Sequence, residues 1–311
     1  MRIVEHEIIY KLTDRPGLVH CSDQLEVKAN TFISVWYQGA YETSPDTVIM
    51  LSRKSGQGGW SLPEVALNFH GAPLGNPVLW RHSGGERIYI IFSVLTAEDW
   101  KSSLLFSAFS DDYGMSWSTP TLFISQPGFM AKTKPVENER GDIVFPIYHE
   151  ATYCPYVYVV PNIDSPLESY LSAETMARGK AIQPALCKLP SGEILMTCRT
   201  RMGSVWESIS FNEGYSWSIL NPTALENPDS SVSLVTGKGG EVYIIYNPDK
   251  SSRHQLAISK RGERGKWITL GIIKEGEGEY SYPSAILHQD GVISITYTDS
   301  RYAILRTVID F

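Results

Sequence analysis

Six polar residues recur at one per repeat along this chain, spaced so that they could face one another: His20, Asn76, Lys134, Gln183, Ser230 or its neighbour Ser231, and Tyr282. Four stand directly before proline, in Asn76-Pro77, Lys134-Pro135, Gln183-Pro184 and Tyr282-Pro283, and each opens an apolar stretch. The set holds an imidazole and a phenol, which exchange protons, an ammonium, which binds anions, and amides and hydroxyls, which orient a ligand. A further trio, Tyr148-His149-Glu150, closes the apolar run at 144–147 and is expected at the rim of the same site.

The elements that would position these residues are strands. Apolar runs follow at 87–92, 142–145, 193–196 and 241–246. Runs this continuous suit strands buried on both faces. In a β-propeller the innermost strand of each blade begins beside the central channel, so a polar residue at its start faces that channel. Six such positions predict six blades.

A second repeat carries the same period. The segment Ser110-Asp111-Asp112-Tyr113-Gly114-Met115-Ser116-Trp117 fits S-x-D-x-G-x-x-W, and residues 210–217 fit it with Asn212 in place of the aspartate. Looser copies run over 52–60 and 259–267, and a degenerate turn falls at 162–166. The pattern describes a hairpin turn: the Asp or Asn side chain accepts from backbone N–H groups, Gly supplies a positive φ, and Trp packs beneath. Asp112 is therefore expected to be structural, with Trp60, Trp117, Trp217 and Trp267 in equivalent places of four blades.

Composition agrees and excludes some functions. The 8 Trp and 17 Tyr favour pleated, half-buried strands and stack well on sugar rings. A net charge of −7 argues against nucleic acid, whose phosphates call for clustered Lys and Arg. Cys21, Cys154, Cys187 and Cys198 lack CxxC or Cys/His spacing, so they read as buried thiols, with no metal and no cofactor implied. The start, MRIVEHEIIYKL, has no signal-peptide pattern and no apolar run reaches membrane-span length, which gives the expectation of a cytoplasmic protein without a membrane partner. Closed all-β folds often use this much chain as one domain, so residues 1–311 are read as a single propeller, with 4–10 completing the last blade beside 302–311.

The hairpin pattern resembles the Asp-box, or BNR, repeat of sialidases, and the whole chain is similar to the BNR-repeat-like group of that superfamily. The resemblance implies a six-bladed all-β propeller and places Tyr282, counted back from Asp290-Gly291, where retaining sialidases have a nucleophilic tyrosine. It also implies that Arg253 and Arg199, with Arg201 close by, bind a sugar carboxylate, work that suits the planar guanidinium fork. The chain departs from the family pattern in two places. His20-Cys21-Ser22 stands where the first carboxylate-binding arginine belongs, and Gln183-Pro184 stands where the tyrosine-activating glutamate belongs. Glu42 and Asp46 are the carboxylates available in the loop that carries the family's acid-base residue.

Three functions follow. The first is a sialidase-like glycoside hydrolase acting on a terminal acidic sugar of an oligosaccharide or glycoconjugate, with Tyr282 as nucleophile, Glu42 or Asp46 as acid, and Arg199 and Arg253 on the carboxylate. The second is a polysaccharide lyase that cleaves a uronate-containing glycan by β-elimination, using His20 or Tyr282 on the α-proton. The third is a non-catalytic carbohydrate-binding propeller. Asn76, Lys134, Gln183 and His149 line the pocket in each.

Overall fold

A computed structural model describes residues 1–13, 17–161, 170–172 and 180–311. The degenerate turn expected at 162–166 lies outside the described residues. Among the described residues, the strands form six antiparallel sheets, five of them ordered consecutively from the channel outward and the sixth closed by the chain's first strand, and the fold is a six-bladed β-propeller. The first blade runs Leu18–Lys28, Thr31–Gly39, Val48–Ser55, Glu64–Leu67, and the second Leu74–Arg81, Ile88–Leu95, Ser103–Ser110, Thr121–Ile124. The fourth and fifth blades open on Ala181–Lys188 and Ser233–Thr236. The sixth comprises Tyr280–Leu287, Ile293–Asp299, Ala303–Asp310 and, at its outer edge, the chain's first strand Arg2–Lys11, with Lys11 opposite Ala303.

The third blade departs from the rule. Its innermost strand is broken into Phe129–Met130 and Val136–Glu137, both paired with Ile143–His149, so residues 131–135 leave the ladder.

Continuous apolar runs become the second strands, which are sandwiched between blades. Every residue of Ile88–Leu95 is buried. The four repeat tryptophans each pack on a core shared between their own blade and the one before it: Trp60 on the cluster around Trp36 and Ile304, Trp117 on that around Ile33 and Leu79, Trp217 on that around Val144 and Met196, and Trp267 on that around Leu195 and Ile244. Above each wedge the turn is tied as its sequence requires. Gly114 N–H donates to Ser110 Oγ at 2.8 Å and Ser116 N–H to Asp112 Oδ1 at 2.9 Å. With the Ser116 hydroxyl and amide and the Ser110 hydroxyl bonded to it, the Asp112 carboxyl is held down to about 2. In the fourth blade Gly214 has φ +96°, and a Cβ there would meet Val144 Cγ1 at 2.7 Å, so only glycine lets the turn seat against the third blade.

Two ion clusters tie the blades. At the closure, Glu7 of the first strand pairs with Lys54 of the first blade and Arg306 of the sixth, all with little exposure. In the channel, Asp23 of the first blade accepts from Leu79 N–H at 2.6 Å, Lys134 Nζ at 2.7 Å and the Ser284 hydroxyl, joining the first, second, third and sixth blades.

Candidate functional site

The site is made by one recurring backbone distortion. Two residues of the innermost strand oppose one of its partner between His20 and Asp23, Gly75 and Val78, Ile182 and Ala185, and Ser281 and Ser284. These are β-bulges, and the first extra residue in each is left-handed: Cys21 at φ +56°, Asn76 at +45°, Gln183 at +54° and Tyr282 at +55°. Asp229 adopts +54° at the start of the fifth blade. Non-glycine residues occupy this region at a cost of roughly 1–2 kcal/mol each, and such strain clusters at functional sites. The proline after Asn76, Gln183 and Tyr282 has no N–H to leave unpaired at the bulge.

Topology then collects the side chains. In an antiparallel blade the start of the first strand and the turn between the second and third strands lie at the same end. The Asp-type turns, between third and fourth strands, lie at the other. Starts and turns of this one end supply His20, Asn76, Gln183, Tyr282, Arg199, Arg253 and Arg301.

The centre of the site is Tyr282, half-buried. Its Oη accepts from Arg199 Nη1 at 3.3 Å and from Gln183 Nε2 at 3.5 Å. His20 lies against its ring, 4.3 Å between centroids. Burial, with Arg301, Arg253, Lys132 and Arg199 nearby, holds the His20 imidazole well below its usual range, so the ring is neutral. Its Nδ1 meets Thr298 Oγ1 at 3.1 Å, whereas its buried Nε2 has no partner among the described residues. Asn76 Nδ2 and Gln183 Nε2 donate to Tyr148 Oη at 3.1 and 3.3 Å, and burial pushes that phenol well up.

An alternating belt of charge surrounds this centre. Arg199 Nε meets Asp229 Oδ1 at 3.1 Å, and Tyr153 donates its hydroxyl to the same carboxylate. Arg253 donates to Glu279 at 2.8 Å and to Asp229 O at 3.1 Å. Arg301 pairs with Glu42, whose other oxygen accepts from Tyr37 at 3.4 Å. Glu150 is half-buried, and burial raises its carboxyl despite Arg199 and Arg201. Arg201 lies over the Tyr153 ring at 3.6 Å and is exposed at the rim. Trp100, from the turn Trp100–Ser102 of the second blade, reaches over Gly75 and packs against both the Tyr148 and Tyr282 groups.

Not every expected residue arrives. Lys134 points along the channel to Asp23 and Leu79 O, away from Tyr282, and Lys132 stands beside Tyr282 in its place. The fifth blade offers Asp229 rather than Ser230 or Ser231: the Ser230 hydroxyl is spent on Asn247 Oδ1 at 2.6 Å. Asp46 is exposed and holds its own turn through Ala40 N–H and the Ser44 hydroxyl. His149 ties the neighbouring turn, accepting from Thr152 N–H at 3.1 Å, and its ring packs on Phe129. Tyr148, expected at the rim, lies inside the site, and Arg301, Glu279, Asp229, Lys132 and Trp100 were not among the expected site residues. A proline or a repeat position marks none of them except Asp229, which begins the Asp-Ser-Ser stretch of the fifth phase.

Comparison with known proteins bears on the fold. The family model described as BNR repeat-like domain matches residues 30–295. No curated protein matches the chain. Among solved structures, the Hadza microbial sialidase Hz136 superposes with a TM-score of 0.80 at 14% identity, over 94% of this chain and 66% of its own. A protein of unknown function from Dyadobacter fermentans gives 0.78 at 14% identity, over 99% and 98%. The leech intramolecular trans-sialidase, complexed with 2,7-anhydro-Neu5Ac, gives 0.77 at 13%, over 99% and 70%. At such identities the likeness is one of fold.

Proposed function

The chain belongs to the BNR repeat-like domain family, and from that premise we propose that the polar end of its channel is the active site of a sialidase-like glycoside hydrolase acting on a terminal acidic sugar of a glycan. The observation that carries this reading is the setting of Tyr282: two donors, Arg199 and Gln183, aim at its oxygen inside a ring of cations. Donors so placed stabilise negative charge as it develops on the phenol oxygen, and the cations suit an anionic substrate.

In this mechanism Tyr282 Oη bonds to the anomeric carbon as the glycosidic C–O bond breaks. The phenolic proton is relayed by solvent to the His20 imidazole, whose Nε2 has no partner among the described residues. The departing oxygen takes a proton from a rim carboxyl. Glu150 fits best, since burial favours its protonated form, and Glu42 is the alternative on the opposite rim. Water then attacks the tyrosyl-sugar bond, and the same groups return the protons.

One observation favours a second reading. No carboxylate hydrogen-bonds to Tyr282 among the described residues, while neutral His20, its ring 4.3 Å from that of Tyr282 between centroids, has a free ring nitrogen. In a β-elimination the cations would neutralise a uronate carboxylate, His20 would take the α-proton, and Tyr282 would protonate the leaving oxygen as the C–O bond breaks. Incubation with acidic oligosaccharides, followed by mass detection of products, separates the cases. A hydrolase releases a monosaccharide with the mass of one added water. An unsaturated product absorbing in the ultraviolet identifies the lyase, and binding without product leaves a carbohydrate-binding propeller.

A further inference from the structure

The charge belt contains an imbalance. Each arginine facing the pit already has a carboxylate: Arg199 has Asp229, Arg253 has Glu279 at 2.8 Å, and Arg301 has Glu42, with Glu279 at 4.0 Å. Lys132 has none. It is 3% exposed, yet no hydrogen bond or ion pair to it occurs among the described residues. It sits in the break of the third blade's inner strand, where the backbone leaves the ladder, and its ammonium lies 5.6 Å from the centroid of the Tyr282 ring. Its neighbour Lys134 shows the contrast, being held by a buried carboxylate and a carbonyl oxygen.

The side chain is buried but its ammonium has no counter-charge, and a cation so placed beside the pit can pair with an anion supplied from outside. Lys132 lines a cavity of about 30 Å³ with Thr133, Lys134, Ser233 and Ser284. An anionic oxygen of a ligand fits room of that size.

We infer that Lys132 is the residue that takes the ligand's carboxylate, standing in for the arginine that the first blade lacks. Its unpaired positive charge matches a carboxylate. The arginines, locked in their pairs, shape and polarise the pit instead. This inference rests on the reading that the site accepts an acidic sugar.

The test is calorimetric titration of the wild-type chain with N-acetylneuraminic acid and with glucuronic acid, against their neutral counterparts N-acetylmannosamine and glucose. The wild type is expected to bind an acidic sugar and neither neutral one. Lys132→Met should lose at least about tenfold in affinity, while Lys132→Arg should stay within a few-fold. Without sugar, Lys132→Met should melt close to the wild-type temperature, because the ammonium holds no partner within the fold. Unchanged acidic-sugar affinity in Lys132→Met overturns the inference while leaving the acidic-sugar reading intact. A variant that melts lower, or does not fold, overturns it as well, by showing Lys132 to be structural. A wild type that binds neither acid overturns the reading and the inference together.

Discussion

Trp100 lies over Gly75 so closely that a Cβ on Gly75 would come within 2.4 Å of the indole ring. Gly75 occupies the place that His20, Ile182 and Ser281 hold in other blades, the last residue before the bulge. The inner strand of the second blade thus contributes no side chain there. A loop fills the space with an aromatic face that touches the groups around Tyr37, Tyr148 and Tyr282.

Gly75→Ala is expected to expel the indole. Overpacking of this kind costs roughly 1–3 kcal/mol, which denaturant titration would read, together with a shift in tryptophan emission. The double variant Gly75→Ala/Trp100→Ala should recover most of the stability, since the clash goes with the ring. Equal loss in both variants would refute the relationship.

Tyr282→Phe removes only the phenol oxygen and leaves the ring packed against His20. Turnover should vanish while binding of an acidic sugar changes little, because the cations remain. Activity surviving in this variant would rule out the tyrosine nucleophile. A trapped tyrosyl-sugar adduct in the wild type would distinguish hydrolase from lyase.

Asp23→Ala should be far more damaging than its position outside the pit suggests. It strips the counter-charge from Lys134 and the acceptor from Leu79 N–H in a buried setting. Breaking one side of a buried pair costs about 3–5 kcal/mol, measurable as a drop in melting temperature. Asp46→Ala, at an exposed turn, should cost under about 1 kcal/mol by the same measurement.

Acid should unfold the chain through its buried histidines. Burial, with Arg306 beside it, lowers His288 from 6.5 to about 4, and His20 is lowered too. The unfolded chain therefore binds protons that the folded chain refuses between pH 6.5 and about 4. Stability is complete above that window and falls as pH drops through it, by up to about 1.4 kcal/mol per unit for each such group. In His288→Gln the slope between pH 6.5 and 4, followed by denaturant melts, should be shallower than in the wild type. An unaltered slope would show that other groups govern acid lability.

Much of this molecule was written in local pattern. The turn residues of 110–117 and 210–217 carry their own hydrogen bonds, so the turn is specified by residues a few positions apart, and its recurrence marks the blades. The polar-proline pairs at Asn76, Gln183 and Tyr282 mark the bulges for the same reason: a left-handed residue followed by an imino acid is a backbone event, legible in two letters. Lys134 shows the limit. Its Lys-Pro dipeptide fits the rule, but the third blade breaks its inner strand, and the break turns Lys134 towards Asp23 and Lys132 towards Tyr282.

The sequence by itself determined the repeat, the turns and which ends of the strands would meet at the channel, because these depend on residues a few positions apart. Only the tertiary structure decided the charges. Arg301 finds Glu42 across 259 positions, Lys54 and Arg306 find Glu7 across the closure, and Lys132 finds no carboxylate. Pairing of charges depends on distance in space, and closing a propeller sets those distances between segments whose separation along the chain carries no trace of them.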